Sequence, residues 1–328
     1  MKKISNSISF LTFLVLVISL MSCSSEKTRQ SFTSKNKPVP AFDADSAYSF
    51  IEEQIKWGPR VPGSEAHTLT RDYIVAKLKS YAGSKFVGQQ RFTKVVYGDS
   101  LNLKNIIAVI NPENPDRIML CAHWDSRPRS EEASTEALKK EPVLGADDGA
   151  SGVAVLLEVA RAIQRNKPEI GIDIILFDGE DYGKSSDLSN FFLGSRCWAK
   201  NQPSKNYKPR FGILLDMVGA KNATFLKEQF SLKAAPSLVD GIWKIAEELN
   251  YGHVFKNKLG SSVADDHYIL NANLAFPTID IINHDLKNDG SLKFPDHWHS
   301  EKDTISIIDK ETLKEVGDVL LELIFNRL

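Results

Sequence analysis

Apolar and polar positions alternate along this chain with two different periods. Over 45–57, 66–81, 151–165, 236–250 and 310–325, apolar residues return every three or four positions, the spacing of an amphipathic helix. At 105–110, 117–122, 172–177, 211–215 and 276–282 the runs are short and apolar almost throughout. The run Ile172-Asp173-Ile174-Ile175-Leu176-Phe177 offers no polar face, as expected of a strand covered on both sides. Strands that alternate with helices predict an α/β fold: a three-layer αβα arrangement around a mostly parallel, mixed and twisted central sheet. There is no internal repeat, and residues 42–328 read as a single catalytic-sized domain.

The front of the chain follows another pattern. Lys2 and Lys3 precede an apolar run over 10–20, too short for a bilayer span of about 20 residues but suited to a secretory signal. The run ends in Leu20-Met21-Ser22-Cys23, which resembles the lipobox of bacterial lipoproteins. The expectation is a signal peptide over 1–22, lipidation at Cys23, and a polar tether over 23–41. The protein is expected in the bacterial cell envelope, anchored by lipid and facing the periplasm or the surface; multiple acylation anchors firmly where one chain does not. An ordinary signal cleaved nearby, with Cys23 incidental, is the alternative.

Charge and cysteine content narrow the remaining classes. With 41 Lys+Arg against 42 Asp+Glu, the net charge of -1 lacks the basic surface that nucleic-acid binding requires. The two cysteines beyond Cys23 are Cys121 and Cys197, too few for a disulfide framework; Cys121 sits in an apolar run and reads as a small buried residue. Nothing in the sequence calls for more than a monomer.

Candidate chemistry gathers where the predicted strands end. His123-Trp124-Asp125-Ser126 follows one strand, Asp178-Gly179-Glu180-Asp181 another, and Asp216 a third. Gly145-Ala146-Asp147-Asp148-Gly149 precedes a helix, and Asp296-His297-Trp298-His299 follows the last strand. In open α/β sheets ligands bind beyond the carboxyl ends of the strands. Singly, each segment has a plainer use: Asp147 and Asp148 as helix caps, Asp178-Gly179 as a turn, either histidine as a structural residue. Together they crowd carboxylates and imidazoles along one edge, an arrangement that needs cations to offset repulsion.

These motifs resemble the zinc exopeptidase superfamily. The resemblance rests on Gly145-Ala-Asp-Asp148-Gly-Ala-Ser-Gly152, Phe177-Asp-Gly-Glu180-Asp181, Leu215-Asp216-Met-Val-Gly219-Ala220 and Trp298-His299. Within the superfamily the chain is most similar to the glutaminyl cyclases, on Leu214–Ala220, on Asp265-Asp266-His267, and on the tryptophan before the last histidine. The resemblance implies one Zn2+ held by Asp148, Asp181 and His299, with a fourth position open. It makes Glu180 the acid/base, Asp216 and Asp265 its hydrogen-bonding neighbours, and Trp298 a wall of the substrate pocket. His297 is expected as a loop residue. The implied partners are peptides or proteins with N-terminal glutamine, which is closed to pyroglutamate with loss of ammonia.

The chain departs from the family in three places. Asp181 stands where many members carry Glu, one methylene longer. The stretch 182–192 lacks a second pocket tryptophan, and Val153 occupies the position of a cysteine that pairs in the animal enzymes. The main alternative is a two-zinc aminopeptidase that removes N-terminal residues, with His123 and Asp216 as ligands of the second metal and Asp148 bridging. A catalytically dead binding lipoprotein predicts lost site residues, and none is missing.

Overall fold

The computed structural model describes residues 32–204 and 206–328; Cys23 and the expected signal lie outside them. The elements in chain order are α1 (Ala44–Ile55), α2 (Glu65–Ala82), β1 (Val87–Val96), β2 (Asp99–Ile110), β3 (Arg117–His123), α3 (Ala150–Arg165), β4 (Gly171–Phe177), α4 (Leu193–Lys200) and β5 (Gly212–Asp216). They continue with β6 (Phe225–Lys227), α5 (Gln229–Ala234), α6 (Pro236–Glu248), β7 (Phe255–Leu259), α7 (Asp266–Asn273), β8 (Thr278–Ile282), β9 (Asp285–Leu286), β10 (Leu292–Lys293) and α8 (Lys310–Glu322).

Six strands form one mixed sheet in the order β1-β2-β4-β3-β5-β8. The hairpin β1–β2 joins antiparallel to β4, and β4, β3, β5 and β8 run parallel. All five expected strand runs and all five expected helices are present, with ends shifted by a few residues. The period of two along β3 explains its continuous apolar character. Ile118, Leu120 and Ala122 join the large core with α1, α3, α6 and α8, whereas Met119 and Cys121 face Trp198 of α4 and Leu270 of α7. Helices thus cover both faces of the sheet, which is the three-layer architecture expected.

Strand β1 has no counterpart in the sequence reading. It is an edge strand with mostly exposed or half-exposed positions, and Gln89, Gln90, Arg91, Thr93 and Lys94 give it no apolar run. The last part of the segment expected as a tether, 32–41, lies against the body. Phe32 packs edge-on to Phe211, and Lys35 N and Lys37 N donate to Asn326 Oδ1. Its polar composition conceals these anchors because Phe32 and Val39 are isolated apolar residues.

The parallel register brings the carboxyl ends of β3, β4, β5 and β8 to one edge. His123 pairs with Phe177 at the ends of β3 and β4, and Asp216 with Ile282 at the ends of β5 and β8. That edge carries the candidate chemistry.

Candidate metal centre and active site

Asp148 reaches the site from the loop before α3. The loop is drawn into place by buried Arg60, whose guanidinium donates to the carbonyl oxygens of Trp124, Leu144 and Gly145 at 2.7–2.9 Å. Gly145 turns the chain at φ +70°, and a Cβ there would strike the carbonyl oxygen of Asp148. Asp303 holds the next two residues: its carboxylate accepts Asp147 N at 2.7 Å and Asp148 N at 3.1 Å. Neither Asp147 nor Asp148 caps α3, whose N-cap is Gly149 without a side-chain bond. Asp147 Oδ1 instead accepts Gly219 N at 2.7 Å, and Oδ2 pairs with His297 Nε2 at 2.8 Å. His297 lies in a loop as expected, but as a buried partner of Asp147.

Glu180 and Asp181 follow β4 through Gly179, at φ +70°. Asp125, just beyond β3, fixes both: its two oxygens accept Glu180 N at 3.1 Å and Asp181 N at 3.2 Å. Asp178 faces the other way, to His67 Nε2 at 2.8 Å and Lys104 N at 2.6 Å, while His67 stacks on Trp124.

Asp148, Asp181 and His299 converge. His299 Nε2 lies 3.4 Å from Asp181 Oδ1 and 3.8 Å from Asp148 Oδ2, and the three buried residues offer ligand atoms within 4.8 Å of one another. Bonds of about 2.0 Å in a tetrahedral site place ligands about 3.3 Å apart, near the shorter spacing. Asp181 Oδ2 is buried and has no hydrogen bond, which costs free energy unless something else completes it. Two carboxylates, an imidazole and an orphaned oxygen fit a metal ion.

His123 stands beside this trio. Its Nε2 is 3.0 Å from Asp148 Oδ1 and 3.3 Å from Asp216 Oδ1, and His123, Asp148 and Asp216 form a second group with ligand atoms inside 4.8 Å. Burial works against a charged imidazole here, but Asp125, Asp148 and Asp216 raise its pKa well above the ordinary value.

Glu180, Asp216, Asp265 and Trp298 line one cavity of about 270 Å³ together with the three candidate ligands. Burial, with Asp181 and Asp265 nearby, raises the Glu180 carboxyl well above its usual range. Burial and Asp148 push Asp216 up to about 7, and burial and Asp216 push Asp265 up to about 7. Trp298 stacks between Phe294 and the His299 ring, at centroid distances of 4.3 and 3.7 Å. Phe191 and Phe192 also line the cavity, supplying aromatic surface in the stretch that lacks the second tryptophan.

The chain matches the model of Peptidase family M28 over residues 105–324. It belongs to that family. Among solved structures, a Zn-dependent exopeptidase from Parabacteroides distasonis is 45% identical, covering 88% of this chain and all of its own, with a TM-score of 0.84. Porphyromonas gingivalis glutaminyl cyclase is 44% identical over 86% of this chain and 98% of its own, with a TM-score of 0.82. The glutaminyl-peptide cyclotransferase of Dictyostelium discoideum is 26% identical over 79% of each chain.

Several residues of this M28 site gave no separate sequence signal. Asp303, Arg60 and Arg127 act through hydrogen bonds to loops distant in the chain, which no local spacing announces. Both cysteines among the described residues are free thiols, and Cys121 is buried.

Proposed function

We propose that this M28 protein is a zinc-dependent glutaminyl cyclase, converting N-terminal glutamine of peptides or proteins to pyroglutamate with release of ammonia. The observation that carries the reading is the grouping of Glu180, Asp216 and Asp265 with Trp298 around one cavity beside the metal trio. Burial and neighbouring carboxylates disfavour ionisation of all three, which raises the proton affinity of each. The similarity to glutaminyl cyclases over most of the chain supports the same reading.

Asp148, Asp181 and His299 are the residues suited to hold zinc. When bound, the zinc supplies Lewis-acid polarisation of the substrate's side-chain amide. The substrate brings its own nucleophile, the α-amine, which forms a bond to the side-chain amide carbon as the bond to the amide nitrogen breaks. Glu180 takes the proton from the attacking amine and returns it to the departing ammonia. Burial, with Asp181 and Asp265 nearby, holds Glu180's proton affinity high, so that it serves as acid as well as base. Trp298, with Phe191 and Phe192, walls the glutamine side chain and keeps bulk water from the reacting carbon.

The second group, His123 with Asp148 and Asp216, favours one other reading, a two-zinc aminopeptidase. A paired assay separates them on one preparation. Ammonia release from a glutamine-terminal peptide, no amine release from a leucine-type substrate, and about one zinc per chain are expected. Amine release with about two zincs overturns the cyclase reading.

The placement of the protein is part of the proposal. A signal over 1–22, Cys23 as the lipidated residue and an anchor at the cell envelope are the reading that the lipobox-like sequence supports. All of it concerns residues outside the described part.

A further inference from the structure

Asp181 is a carboxylate one methylene short of the usual glutamate, and a buried arginine meets it. Arg127 is 1% exposed. Its Nη1 donates to Asp181 Oδ1 at 2.5 Å and to the Asp181 carbonyl oxygen at 3.1 Å. The other edge of the guanidinium is locked, Nε and Nη2 donating to the two oxygens of Glu131 at 2.6 and 2.7 Å. Glu131 is itself held by Arg129 Nε at 2.9 Å, and the Phe191 ring lies 5.3 Å from the Arg127 guanidinium carbon. Asp181 Oδ2 remains buried and without a hydrogen bond.

From this geometry we infer that Arg127 is a positioning residue for the metal, gripping the side chain and main chain of Asp181 at once and so fixing where its carboxylate meets His299 and Asp148. A short ligand has little reach of its own, so its backbone and carboxylate must be placed from outside. A planar guanidinium does this better than an ammonium, because its donors are fixed in one plane and the Glu131 pair sets that plane. Arg127 also offsets the charge of a carboxylate packed close to Asp148 and Glu180. The inference rests on Asp181 being a zinc ligand, as in the proposed function, but not on which reaction the zinc serves.

The test uses the full-length protein purified in detergent, stripped of metal and titrated with zinc against a chelator. Arg127→Met is expected to weaken zinc binding by about 10- to 100-fold, the usual effect of losing a partner of a metal ligand. Arg127→Lys keeps the charge without the fork and is expected to fall between Met and wild type; it carries the test if Arg127→Met does not fold. In an Asp181→Asn background, Arg127→Lys is expected to add nothing. Zinc affinity within twofold of wild type in the Lys and Met variants, with KM for a glutamine-terminal peptide raised, overturns the inference and makes Arg127 a substrate contact. Zinc bound equally well by Asp181→Asn alone removes the ligand assignment beneath it, a separate failure that this arm reads directly.

Discussion

His297 and Asp147 form a buried pair, Nε2 to Oδ2 at 2.8 Å, across 150 residues of chain. Asp147 itself ligates nothing in the candidate trio; it carries the backbone that delivers Asp148, and Gly219 N holds its other oxygen. The two histidines of the last loop therefore have different duties, although one residue separates them.

Substitution is expected to separate those duties. His299→Ala should leave the protein without zinc, whereas His297→Ala should bind about one zinc with affinity lowered about 10- to 100-fold. Metal analysis of both variants after dialysis against graded chelator decides the matter. Equal zinc content at every chelator level contradicts the division.

Glu180→Gln tests the acid/base. The amide preserves size and the backbone bonds to Asp125, which involve Glu180 N and not its side chain. Zinc content should stay at the wild-type level while kcat for a glutamine-terminal peptide falls about 100- to 10,000-fold. Retained turnover removes Glu180 from the proton transfer.

Away from the metal, Glu228 makes a prediction about pH. Burial alone would raise its pKa, but His267 and the backbone N–H groups of Phe230, Ser231 and Val263 hold it down to about 2 from 4.5. A depressed carboxyl stabilises the fold above its unfolded pKa and loses that contribution as pH falls. The contribution, about 3 kcal/mol by linkage, is expected to be complete above pH about 4.5 and to vanish toward pH about 2. Urea midpoints of wild type and Glu228→Gln should differ most near neutrality and converge over that window. A gap independent of pH argues that the loss is one of packing.

Lipidation at Cys23 predicts that Cys23→Ala accumulates as a longer precursor and leaves the detergent phase on partitioning, with cyclase activity unchanged after purification. Wild-type partitioning of the variant contradicts the lipobox reading.

The strands and the ligand-bearing turns were legible because both are local. Apolar runs mark β3, β4, β5 and β8, and carboxylates or histidines sit on or just beyond their ends. The edge strand β1 was not, since half-exposed residues carry no apolar signal. Short helices α4 and α7 were hidden for a related reason: each runs only 8 residues, about two turns. Asp303, Arg127 and the part played by His297 were illegible for a different cause. Each contributes hydrogen bonds to a loop that the fold alone brings near, so the residue looks like any surface acid, base or loop histidine until the tertiary contact exists.

The three candidate ligands come from the turns before α3 and after β4 and from the loop before α8. A ribosome releasing this chain has delivered two of the carboxylates long before the imidazole, and β8, which pairs with β5, emerges before the loop that carries it. Completion of the Asp148, Asp181 and His299 trio is thus a closing event of folding, and a chain that stops short of the last loop lacks the imidazole of that set.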